Sequence, residues 1–154
     1  MAFQRQAVNF INVSAFAALL MAAPAAARVI TSPESGAALF GYDPVAFFTS
    51  GEAKPGDARY EAGSGSLVWR FASEANREAF LADQKSYEPG FHGYDPVLAA
   101  RGIASAGNPE IFLIKGGKLY FFRSLDSRLA FAADAEILGR AEASWPKVQA
   151  QLQD

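Results

Sequence analysis

The five residues GYDPV occur twice, at 41–45 and again at 93–97. Each copy predicts the same local event. An aspartate directly before a proline starts a helix, because its carboxylate accepts bonds from free first-turn amides. The proline gives up only an amide that would have had no partner. One such cap is worth about 1 kcal/mol. Gly51 and Gly102 follow where a short helix would end. Sliding the chain by 52 residues superposes GYDPV but sets AFFTSG (46–51) opposite LAARGI (98–103). The apolar pattern is not shared there, so the sequence reads as one backbone device used twice rather than a duplicated unit.

Other elements follow from pattern. RYEAGSGSLVWRF (59–71) holds two strand-like runs around a Gly-Ser turn. EIFLIKGGKLYFFR (110–123) holds two apolar runs around Gly116-Gly117, a turn able to take positive φ. Ser73 is placed to cap a helix over SEANREAFLADQKSY (73–87), with Ala75, Ala79, Phe80 and Ala82 on its apolar face. The run from Ser124 is helical by pattern, with a kink or break at Trp145–Pro146. Hairpins mixed with short helices predict an α+β fold, a small single domain. Residues 28–36 read as a flexible, exposed lead-in, 37–146 as the domain and 147–154 as a helical tail.

The N-terminus carries a compartment signal. Arg5 precedes a mostly apolar stretch that ends in AALLMAAPAAA, the pattern of a secretory signal peptide cut after Ala27. The uninterrupted apolar run, Ala15–Ala23, is short for a membrane span of about 20 residues. A tether through residues 7–27 is the alternative if the segment is kept. Export predicts a periplasmic or secreted protein. Removal of residues 1–27 leaves 127 residues with 13 basic and 16 acidic side chains, enough for one core. Nothing in that balance points to nucleic acid or an anionic membrane surface. The chain has no cysteine, both methionines lie before residue 28, and His92 is its one histidine. Disulfides, thiolate metal sites and three-histidine zinc sites are thereby excluded.

GYDPVAFF, then WRFASEANREAFLADQKSYEPGFHGY, then GGKLYFF and a late AEASWP together resemble the YHS domain family, in particular its small exported members. The resemblance covers roughly residues 37–146. It implies a YHS-like scaffold, but the thiolate ligands of metal-binding members are replaced. Ala46, Ala72 and Asn76 stand at three cysteine positions, and Asp95 stands where exported relatives tend to have cysteine after Gly-Gly-Tyr.

Two candidate sites remain. His92 and Asp95, joined by Asp43 if the two GYDP segments are neighbours, offer nitrogen and oxygen ligands to copper(II) or zinc. The competing reading has both aspartates consumed as caps, and it weighs more because one histidine rarely makes a tight site. Tyr42, Tyr87, Phe91 and Tyr94 sit in or beside Gly/Pro-rich turns, where aromatics can line a small pocket or a partner surface. Phe47, Phe48, Trp69, Phe71, Phe80, Tyr120, Phe121 and Phe122 read as core, with Phe121 facing away from Tyr120 and Phe122. There is no nucleophile constellation, and GSGS (63–66) is a turn rather than a phosphate loop. The expectation is a non-catalytic binding or accessory module without a resident cofactor, recognising an unnamed protein or small ligand.

Overall fold

Two antiparallel hairpins frame the protein, whose computed structural model describes residues 28–64 and 66–152. β1 (Asp57–Ser64) pairs with β2 (Leu67–Phe71), and β3 (Asn108–Lys115) with β4 (Lys118–Phe122). Gly116 and Gly117 turn the second hairpin at φ 60° and 73°. Six α-helices accompany them among the described residues: α1 (Ala46–Thr49), α2 (Glu74–Ala82), α3 (Gln84–Tyr87), α4 (Pro96–Ala99), α5 (Leu125–Ala133) and α6 (Glu136–Ala150). The architecture is α+β in one small domain, as the pattern predicts. The expected signal segment lies outside the described residues. No helix among them is long and apolar enough to cross a membrane.

The reading of GYDPV as an isolated device is overturned. Left-handed turns at Leu39–Phe40 (φ 52° and 55°) and Phe91–His92 (φ 51° and 52°) precede the two copies. Asp43 N–H donates to Lys54 O and Asp95 N–H to Ser105 O, both at 2.9 Å. Gly56 N–H then reaches Gly41 O as Gly107 N–H reaches Gly93 O. Each hairpin carries a bulge in its first strand, and each is followed by a serine-capped nine-residue helix, Ser73 before α2 and Ser124 before α5. The unit is present twice. One residue fewer lies between Asp95 and Gly107 than between Asp43 and Gly56, so the register changes from 52 to 51. At 51, FASEANREAFLAD (71–83) meets FRSLDSRLAFAAD (122–134), matching Phe71/Phe122, Ser73/Ser124, Arg77/Arg128, Ala79/Ala130, Phe80/Phe131 and Asp83/Asp134.

Each unit builds the same aromatic triangle. Phe80 lies 4.9 Å from Trp69 and 5.1 Å from Phe71, and Phe131 lies 5.0 Å from Tyr120 and 5.3 Å from Phe122. The two hairpins differ on their other face. There the first copy pairs Glu61 with Arg70 across the strands, a 2.8 Å ion pair, and the second pairs Phe112 with Phe121. Phe121 points away from Tyr120 and Phe122, as expected, but into the first copy's core, where Phe47 packs 5.1 Å from it. β4 is therefore buried on both faces.

Three boundary expectations change. Residues 28–36 are an exposed lead-in only in part: Arg28 and 33–36 are exposed, but Val29 and Ile30 are buried, Ile30 joins the first core, and its N–H donates to His92 O at 3.0 Å. The helix expected over 73–87 divides at Asp83 (φ −151°, ψ 69°), whose carboxylate caps α3. Of its expected apolar face, Phe80 is buried and Ala79 half-buried, while Ala75 and Ala82 are exposed. Finally, α6 runs unbroken through Trp145–Pro146, so a boundary at 146 cuts a helix. Val148 beyond it is buried against Ala99 and Ala141. Packing of α6 on α4 outweighs the one backbone bond that Pro146 removes.

Candidate functional site

The two GYDP aspartates are structural knots. Asp43 Oδ1 accepts from Val45 N–H (2.8 Å) and Ala46 N–H (3.2 Å). Its Oδ2 accepts from Ala72 N–H (2.7 Å) and Asn76 Nδ2 (2.6 Å). Asp95 repeats the arrangement with Val97, Leu98 and, through Oδ2, the Arg123 amide at 2.7 Å. Both carboxylates are fully buried, so each ties a helix start to the chain just after the second strand of its own hairpin. Ala46, Ala72 and Asn76, the positions where the family resemblance puts sulfur, all converge on Asp43. A side-chain amide and backbone amides fill the space around that carboxylate.

His92 stands apart from those oxygens. Its ring lies 6.0 Å from that of Trp145, half-buried, in the left-handed turn held by Ile30. Burial pushes the imidazole pKa below its ordinary value, Glu88 opposes that shift and Lys118 adds to it. Asp43, His92 and Asp95 form no ligand cluster. Among the described residues, no group of three or more His, Cys, Asp or Glu could hold a metal ion. The sequence spacing placed an imidazole and a carboxylate three residues apart, but the cap geometry turns Asp95 inward to its own helix.

The four turn aromatics also divide. Tyr87 packs on Phe48 at 5.5 Å and belongs to the first core's margin. Phe91 sits 5.3 Å from Trp145, and Tyr94 5.9 Å. Burial raises the Tyr94 phenol pKa. Tyr42 alone among the four borders an open cleft of about 500 Å³, lined also by Phe40, Ala106, Gly107, Asn108, Pro109 and Arg123. Its hydroxyl donates to Glu110 Oε1 at 3.0 Å, and burial, then Glu110, raises its pKa. A second cleft of about 330 Å³ shares Phe40 and Ala106 and reaches Tyr94, Ile30 and Leu152. Phe40 thus stands between the two, 37 % exposed.

Phe40, Asn108 and Arg123 are site residues that sequence reasoning passed over. Register 51 would have exposed one of them, since it sets Arg123 opposite Ala72, a cation present in one copy and missing in the other. Arg123 is exposed and makes no ion pair among the described residues. An exposed aromatic, a tyrosine hydroxyl and a guanidinium around one concavity have the chemistry of a binding surface. Comparison with protein-family models, curated proteins and solved structures finds no match.

Proposed function

We propose that the protein is an exported, non-catalytic binding or accessory module of the YHS type, recognising its partner or ligand beside the first GYDP turn. One observation carries this reading: the open cleft between Phe40, Tyr42 and Arg123, next to carboxylates already committed to the backbone. Residues able to do proton or metal chemistry are locked or separated, while residues suited to contact are presented. The signal-like segment before Arg28 supports a periplasmic or secreted location. The intact mass of the exported chain decides between cleavage after Ala27 and a retained tether.

Thermal-shift screening of the exported chain against small ligands and fractions of its own compartment tests the function. A stabilisation lost in Phe40→Ala and kept in His92→Ala is the expected result. Substrate turnover by the purified protein that disappears in His92→Ala would sink the proposal.

A further inference from the structure

The same strained turn is finished in two ways. Leu39–Tyr42 and Phe91–Tyr94 share consecutive left-handed residues, then a glycine at φ 84° or 90°, then an extended tyrosine at ψ 146° or 150°. Left-handed backbone is unfavourable for bulky side chains and needs compensating contacts. In the second copy those contacts come from α6. Trp145 lays its ring against Phe91, His92 and Tyr94, at 5.3, 6.0 and 5.9 Å.

In the first copy Leu39 is buried in the core, but among the described residues no ring packs on Phe40 or Tyr42. After Asp83 the chain makes only the four-residue α3, and Tyr87 turns to Phe48 and Phe80 instead. Phe40 and Tyr42, the counterparts of His92 and Tyr94, border the open 500 Å³ cleft. In the register that aligns the two turns, Phe40 and Tyr42 stand where His92 and Tyr94 meet the Trp145 ring. The molecule thus contains its own example of what fits this turn. Charge narrows the occupant further. Arg123 borders the cleft with no carboxylate within ion-pair reach among the described residues, and Glu110 is engaged by the Tyr42 hydroxyl.

We propose that the cleft seats an aromatic side chain of a partner protein, tryptophan or phenylalanine, presented with a nearby carboxylate that pairs with Arg123. This rests on the binding-module reading and narrows it to a protein partner. The ring would cover Phe40 as Trp145 covers His92, and the carboxylate would supply the counter-ion that the chain does not.

The probe is acetyl-Glu-Ala-Ser-Trp-amide, the sequence the chain itself carries at Glu142–Trp145, followed by amide chemical shifts of the whole exported chain. Perturbations are expected at Phe40, Tyr42, Asn108 and Arg123. Replacing the probe's glutamate by glutamine should weaken binding about three- to fivefold, the worth of one partly exposed ion pair. Arg123→Gln, at an exposed side chain, should erase that difference, and Phe40→Ala should remove binding. No perturbation at millimolar probe, or perturbation confined to Phe91–Tyr94, overturns the inference. So does tighter binding of indole-3-propionate than of the peptide, which makes the cleft a small-molecule site and leaves the binding-module reading standing. Cleft shifts that follow protein concentration alone would assign the occupant to a second copy of this chain and overturn it too.

Discussion

His92 combines a left-handed backbone with a half-buried imidazole, and its titration is coupled to folding. Burial holds its folded pKa below the unfolded value of about 6.5. Above pH 6.5 both states are neutral and the contribution is fully present. As pH falls below 6.5 the unfolded chain takes its proton first, and stability drains until the folded pKa is passed. The melting temperature should therefore fall between pH 7 and 5.5. His92→Asn, which keeps tolerance for left-handed φ and removes the proton site, should flatten that fall. An unchanged slope in His92→Asn would exclude His92 as its source. At this scale the caps were legible, because Asp-Pro is local chemistry. The convergence of Asn76 and Ala72 on Asp43 was not, because those partners lie 33 and 29 residues away.

The hairpins show how one element serves two environments. Glu61 and Arg70 face solvent as an ion pair where Phe112 and Phe121 face the first copy's core. Phe121→Arg buries an unpaired charge and removes one of the two rings packed on Phe47, so urea denaturation should show a loss of roughly 3–5 kcal/mol. Arg70→Phe, on the half-exposed copy, should change stability by less than about 1 kcal/mol. Equal losses would mean that the two faces are not the differently buried versions of one element that the register implies. The hairpins were readable from alternation and the Gly-Gly turn. Their equivalence was hidden by a one-residue deletion: the offset that aligns GYDPV misaligns every strand residue after it, and in a period-two element one residue exchanges the faces. The break at Asp83 escaped because its carboxylate caps α3 from within an otherwise helical pattern.

As a whole, the molecule is two copies of one unit that share a core through β4, with residues 29–39 laid across them and α6 covering only one. Ile30 bonds to His92 and accepts from Leu39, joining the two left-handed turns directly. The asymmetry lies in the ring cover: Trp145 packs on the second turn, and among the described residues no ring packs on Phe40 or Tyr42 beside Arg123. Pattern reading found neither, since cover is a property of packing between distant elements. The ordered motifs that resemble the YHS family were legible in the sequence, whereas the amides that surround Asp43, at the positions where that resemblance would put sulfur, were not.

Site-specific photocrosslinking tests this asymmetry most directly. Benzoylphenylalanine replaces Phe40, or, as a comparison on an equally apolar but unrelated surface, Leu81, which is 53 % exposed on α2. The full chain is irradiated in the cells that express it. The account predicts a discrete adduct of protein-sized added mass at position 40, competed away by the tryptophan peptide, and none at position 81. No adduct at 40, or the same adducts at both positions, would contradict it.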